Sequence, residues 1–399
     1  MQETWRWFGP NDPISLQSIR QAGATGIVTS LHHIPTGEAW PLADVLERKQ
    51  LIEDAGLNWA VVESIPLHND LKTRTGNYRQ LLENYLTSIR NVGLAGIKAV
   101  CYNFMPVVDW TRTNLSSALP NASQALRFEM TDFAAYDVYL LERPGAENDY
   151  EPALLERART RFEAMSETER DLLEKNIIAG LPGGEGSYDR EGVRRAIAEF
   201  IALGTNGMRE SLLHFLRAVV PVAEEVGVRL CIHPDDPPFS LFGLPRVVST
   251  AEDARIILSS VPSPSNGLTL CAGSFGARAD NDLIAIAREF GERIYFVHLR
   301  NIRRESDGSF YESDHLDGDN DMVGLISALL DEEARRTREG RADPIAMRPD
   351  HGHLMGDEIG KPGVNPGYSY TGRLKGLAEL RGVTHALTAL RRSAGNPAS

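Results

Sequence analysis

Four residues with strong donor atoms stand at the ends of four apolar runs. His233 closes Val228-Arg229-Leu230-Cys231-Ile232-His233, Cys271 closes Leu268-Thr269-Leu270-Cys271, His298 closes Ile294-Tyr295-Phe296-Val297-His298, and Asp350 follows Ile345-Ala346-Met347-Arg348-Pro349. Two imidazoles, a thiolate and a carboxylate can converge on one divalent cation and leave positions open for substrate. Each alone reads more simply as a core or rim residue. Their equivalent placement at successive strand ends is what points to a metal centre. Cys231 competes with Cys271, but it lies two residues before His233, about 6.5 Å deeper along one strand face, and reads as packing. Cys101 reads the same way.

The segment Arg348-Pro349-Asp350-His351-Gly352-His353 gathers cation, acid and base within six residues. Beside the ligand Asp350, His351 is suited to proton transfer near neutral pH and Arg348 to holding a carboxylate through two hydrogen bonds. His32, His33, Glu63, Asn103, Arg300 and Asn301 stand at other strand ends and are candidates for contacts to substrate hydroxyls. His68, His214, His315 and His385 read as surface or helix residues.

The elements that must position these groups are short and regular. Eight β-prone segments occur near Trp5–Gly9, Gly26–Leu31, Asn58–Ser64, Ile97–Asn103, Val228–His233, Leu268–Cys271, Ile294–His298 and Ile345–Arg348. Amphipathic stretches such as Leu42 to Ala55, Arg79 to Val92 and Leu283 to Phe290 separate them. This alternation predicts a parallel sheet, and eight repeats predict a closed (β/α)₈ TIM barrel in the α/β class, with reactive residues where strands end. The stretch of about 105–227, after the fourth strand, exceeds one crossover and predicts a helical cap on a single catalytic domain spanning 1–399. It carries helical spacing over Glu151 to Asn176, a break at Leu181-Pro182-Gly183-Gly184-Glu185-Gly186-Ser187, and a new helix from Asp189. The cap reads as decoration, lid or oligomer contact, and a homo-oligomer, dimer or larger, is expected. Six glycines and two prolines between Gly352 and Gly372 predict a mobile loop before a final helix from about Leu374 to Arg391.

Composition narrows the class. Forty-two basic against 55 acidic residues leave a formal charge of −13, which argues against a nucleic-acid partner. No apolar run approaches the length of a membrane span, and the N-terminus has neither the basic nor the apolar region of a leader. Three cysteines make no disulfide framework, so a cytoplasmic enzyme is expected.

Over nearly its whole length the chain resembles the mannonate dehydratase family of hexuronate degradation. The resemblance is carried by Trp7-Phe8-Gly9-Pro10, Leu31-His32-His33-Ile34-Pro35, Cys231-Ile232-His233-Pro234-Asp235-Asp236-Pro237-Pro238, Cys271-Ala272-Gly273-Ser274, Phe296-Val297-His298-Leu299-Arg300-Asn301, Arg348 to His353, and Gly372-Arg373-Leu374-Lys375-Gly376-Leu377. It implies a carbon–oxygen hydro-lyase using Mn²⁺, or Fe²⁺ or another divalent cation, to convert the sugar acid D-mannonate to 2-keto-3-deoxy-D-gluconate. It also implies His233, Cys271, His298 and Asp350 as metal ligands, and His351 with a loop tyrosine, Tyr368 or its neighbour Tyr370, as the proton-transfer pair. Two other readings compete: a metal-dependent sugar isomerase or epimerase on the same barrel, and a non-catalytic barrel with a closed structural Zn²⁺ site.

Overall fold

The computed structural model describes residues 1–178, 189–341 and 343–393. Twelve strands occur in it: β1 (Gln2–Arg6), β2 (Gly26–Thr29), β3 (Asn58–Glu63), β4 (Ala99–Tyr102), β5 (Asn114–Ala118), β6 (Gln124–Phe128), β7 (Arg229–Ile232), β8 (Asn266–Cys271), β9 (Ile294–His298), β10 (Ile302–Arg304), β11 (Phe310–Glu312) and β12 (Ala346–Arg348). Eight close a parallel barrel in the order β1-β12-β9-β8-β7-β4-β3-β2. Every residue of β8 and β9 is buried, because a parallel strand has one face in the barrel interior and the other under a helix. Val28, Val61, Cys101, Phe296 and Ala346 fill part of the interior, while a far larger apolar cluster joins strands to helices. Helix ends are fixed locally. Asp282 caps Leu283–Phe290 by accepting from Ile284 and Ala285, and Thr250 with Asp253 forms a capping box on Ala251–Ser260.

Three expectations need correction. The first strand is Gln2–Arg6 rather than Trp5–Gly9, because Gly9 has φ +93° and the chain turns there. Trp7 still donates its amide to the Val28 carbonyl at 2.9 Å, so the ladder ends only just short of the expected run. The insertion is not wholly helical. Beside the helices Pro152–Ala164, Glu167–Ile178 and Arg190–Glu225 it contributes the hairpin β5–β6, which joins β10 and β11 in an antiparallel sheet of order β10-β11-β6-β5 over the mouth. The break at Leu181–Ser187 lies outside the described residues. Arg190–Glu225 is two helices meeting at Gly204, where φ is +67°.

The third correction concerns 352–372, much of which is docked. The Gly352 amide donates to Gly367 at 2.8 Å, and Leu354 exchanges two 2.8 Å hydrogen bonds with Gln124 of β6. Close approach requires glycine here. A Cβ at Gly352 would sit 2.3 Å from the Arg373 nitrogen, and one at Gly372 would sit 2.1 Å from the His353 carbonyl oxygen. Only 356–357, 359–363 and Pro366 are exposed. The final helix starts at Tyr370, earlier than expected, since Glu358 accepts from the amides of Tyr370 and Thr371 at 2.9 and 2.8 Å.

Candidate active site

At the C-terminal mouth β7, β8, β9 and β12 bring His233, Cys271, His298 and Asp350 together. Donor atoms of His233, Cys271 and His298 all lie within 4.8 Å of one another. Asp350 Oδ2 is 3.7 Å from Cys271 Sγ and 3.8 Å from His298 Nδ1. The hydrogen bonds around the imidazoles test whether this set fits a cation. His233 Nδ1 is 2.7 Å from the Pro234 carbonyl oxygen, so it carries the proton and leaves Nε2 with a lone pair. His298 Nε2 faces the Glu63 carboxylate at 3.3 Å, which favours its proton there and a lone pair on Nδ1. Those two lone pairs face each other at 3.2 Å. A cation shared by both nitrogens turns this repulsion into attraction, and Glu63 then orients the His298 ring from behind, as carboxylates do at many metal-bound histidines. Burial lowers the His233 pKa, which favours the neutral form a metal needs.

Asp350 and His351 face the same cavity because the strand has already ended. β12 stops at Arg348, Pro349 offers no amide donor, and Asp350 adopts φ +67°. That left-handed conformation is uncommon away from glycine and is strained. It cancels the alternation that would turn adjacent side chains apart. His315 braces the turn by donating Nε2–H to the Pro349 carbonyl at 2.8 Å, and it is buried rather than at the surface as expected. Burial would raise the Asp350 carboxyl, but Arg348, His351, His298 and Arg300 together hold it well below the usual range.

His351 Nε2 lies 3.2 Å from the Tyr368 hydroxyl, and His351 Nδ1 lies 2.9 Å from each oxygen of Glu312. Tyr368 is buried edge-on against Phe8 and held by Arg373, which donates to its carbonyl at 2.9 Å. Burial pushes its phenol up to about 12, so it keeps its proton at neutral pH. Tyr370 points elsewhere, donating to the Ser18 carbonyl, which separates the two candidates. Behind the pair runs a buried ionic chain. Arg112 bonds Asp236 at 2.7 Å and Glu312 at 3.0 Å, and Arg300 bonds Asp236 at 2.6 Å and Glu312 at 2.7 Å. Burial opposes ionisation of Glu312, yet His351 and the arginines bring its pKa down to about 2.

The other candidates divide sharply. Arg348 lines the cavity, already bonded to Glu63 at 3.0 Å and ion-paired with Asp350 at 2.5 Å, and Arg300 lines it as well. His32, Glu63 and Asn103 line it as well. His33 does not. Its ring is 55% exposed and pairs with Asp44 outside the cavity, because in the turn after β2 only His32 faces inward. Asn301 is also removed from the substrate-contact set. It is buried and spends its amide on the carbonyls of His315 and Asn320 and its oxygen on the amides of Ile302 and Asn320, stapling the loop after β9. Cys231 and Cys101 are both interior packing, and burial raises Cys231 to about 12. Sequence reasoning missed Arg6, Arg112, Asp236 and Glu312. The Asp307-Gly308 turn between two short β-prone runs could have exposed the β10–β11 hairpin that carries Glu312.

Fold and site together define a (β/α)₈-barrel enzyme whose mouth sets a donor cluster that fits a cation beside an imidazole–phenol pair. The D-mannonate dehydratase (UxuA) family matches residues 1–394. The mannonate dehydratase of Saccharophagus degradans is 71% identical over 393 residues, covering 98% of this chain and 99% of that protein. Mannonate dehydratase 2 of Agrobacterium fabrum is 57% identical over 387 residues, 97% of each chain. The crystal structure of mannonate dehydratase from Streptococcus suis serotype 2 superposes with a TM-score of 0.78 at 33% identity, covering 100% of this chain and 97% of that one. The chain belongs to the D-mannonate dehydratase family, and its class is that of a hydro-lyase. Neither the isomerase or epimerase reading nor the structural-zinc reading is favoured.

Proposed function

We propose that the chain dehydrates D-mannonate to 2-keto-3-deoxy-D-gluconate with Mn²⁺, or Fe²⁺ or another divalent cation, held by His233, Cys271, His298 and Asp350. The observation that carries the mechanism is the 3.2 Å contact between His351 Nε2 and the Tyr368 hydroxyl beside the donor cluster. Dehydration requires a base for the proton on C2 and an acid for the departing 3-hydroxyl. His351 presents a lone pair at Nε2 and is the base; Tyr368, protonated at neutral pH, is the acid. When bound, the cation supplies positive charge at the substrate carboxylate or 2-hydroxyl, where negative charge develops as C2 loses its proton. Arg300 and Arg348 line the walls and place guanidinium N–H groups within reach of substrate oxygens.

Charge matching supports an acidic substrate. Arg6, Arg112, Arg300 and Arg348 are matched by Glu63, Asp236, Glu312 and Asp350, and Lys72 by Asp109. A divalent cation with one thiolate then leaves a single positive charge, suited to a monocarboxylate. A cytoplasmic setting is supported by three free, buried cysteines, and no described helix is long and apolar enough to cross a membrane. Assembly as a homo-oligomer draws on exposed apolar side chains such as Leu172 and Leu390, and light scattering tests it. The test of function is turnover of D-mannonate by metal-stripped protein to which Mn²⁺, Fe²⁺, Co²⁺ or Zn²⁺ is restored, with detection of the 2-keto-3-deoxy acid. Isomerised or epimerised sugar without that acid would overturn the assignment.

A further inference from the structure

We infer that Glu312 is a positioning residue for the reaction, holding His351 in the tautomer that turns an unprotonated Nε2 toward Tyr368. The inference rests on the assignment of His351 and Tyr368 to proton transfer. Both Glu312 oxygens lie 2.9 Å from His351 Nδ1. An unprotonated Nδ1 there would set a lone pair against two carboxylate oxygens; a protonated one donates to them. Arg300 Nη1 is also 3.1 Å from Nδ1, but it is 2.7 Å from Glu312 Oε1, and the carboxylate is the stronger acceptor. With the ring proton on Nδ1, Nε2 accepts from the Tyr368 hydroxyl.

The two oxygens of Glu312 are not equivalent. Oε1 takes the hydrogen bonds of Arg112 and Arg300, whereas among the described residues Oε2 has a hydrogen-bond partner only in His351. A glutamine at 312 therefore has one favourable orientation. Its carbonyl oxygen must face the two guanidinium groups, which places its NH₂ against His351 Nδ1. That donor pulls the lone pair to Nδ1 and drives the proton to Nε2, so His351 can no longer accept from Tyr368 or take a proton from substrate. Because β11 lies in the sheet over the mouth and outside the barrel, this control comes from outside the ring of barrel strands.

Glu312→Gln is expected to lower kcat on the order of 10²–10⁴-fold, the range for a general base held in the wrong tautomer. KM and metal content should stay within about twofold. Glu312→Asp keeps the charge and should recover part of the rate. ¹⁵N-histidine NMR of the wild-type, Zn²⁺-loaded enzyme supplies an independent reading, with His351 assigned by its loss in His351→Asn. Protonated Nδ1 with bare Nε2 is expected, and the opposite tautomer overturns the inference even if Glu312→Gln does not fold. So does a Glu312→Gln enzyme with near-normal kcat, or one whose loss follows from lost metal. If His351→Asn itself turns over normally, the proton-transfer assignment falls. If that variant is inactive while Glu312→Gln is active, only the role of Glu312 falls.

Discussion

The two buried thiols on neighbouring strands have opposite surroundings. Cys271 Sγ sits among His233, His298 and Asp350 and accepts from Ser274 at 3.1 Å, whereas Cys231 is fully buried with its thiol turned to the Arg229 carbonyl. Cys271→Ser should therefore lower bound metal at least tenfold while Cys231→Ser leaves it near wild type, as read by elemental analysis. Equal loss in both variants would reject Cys271 as the thiolate. A second pair separates the tyrosines. Tyr368→Phe should keep metal and KM but lose on the order of 10²-fold or more in kcat, and Tyr370→Phe should cost little. Such single-residue chemistry was legible only in part. His233 and His298 end apolar strands and reveal themselves by position, but Arg112 sits in an aperiodic stretch, and its partner Glu312 lies 200 residues away. Distance along the chain hides an ion pair that no local pattern encodes.

Among the elements, continuous apolar runs were the readable ones. β9 falls at its expected bounds, Ile294–His298, because its apolar run is unbroken, and the helix Leu283–Phe290 does too, because it has one strong period and the Asp282 cap. β11 escaped, since three residues with a glutamate at the end show no period. The loop 352–372 misled for another reason: its glycines serve close backbone contact, although glycine content alone suggests freedom. Glu358 ties this loop to the final helix, so Glu358→Ala should cost about 1–2 kcal/mol and a few degrees in Tm by calorimetry. It should also speed cleavage in the exposed stretch 359–363. In the wild type, saturating D-mannonate should slow that cleavage, as followed by mass spectrometry, because Tyr368 anchors the loop to the site. Unchanged cleavage in substrate would show that no ordering of this loop accompanies binding.

For the whole molecule, buried histidine sets the first response to acid. His315 is neutral in its packed site, with burial holding its pKa at about 4 against an ordinary 6.5. Below pH 6.5 the unfolded chain takes up this proton and the folded protein does not, so stability falls as pH drops from 6.5 to about 4, by about 3 kcal/mol in total. The Glu312 contribution has the opposite history: lowered to about 2, it persists above the carboxylate range and is lost only as pH falls from about 4 toward 2. Urea midpoints should thus decline between pH 7 and pH 5, and His315→Gln should flatten part of that decline, the rest coming from His32, whose pKa burial lowers to about 3. An unchanged slope in the variant would remove His315 as a cause. Barrel closure has a further consequence, in time. β1 finds β2 within 30 residues, but its other edge waits for β12, with Gln2 opposite Ala346. At typical rates of synthesis, about 5–20 residues per second, that edge stays unpaired for roughly 20–70 s after it is made. Each nascent chain thus carries an open strand edge and an unfinished mouth for most of its time on the ribosome, when crowding by sister chains is the main hazard.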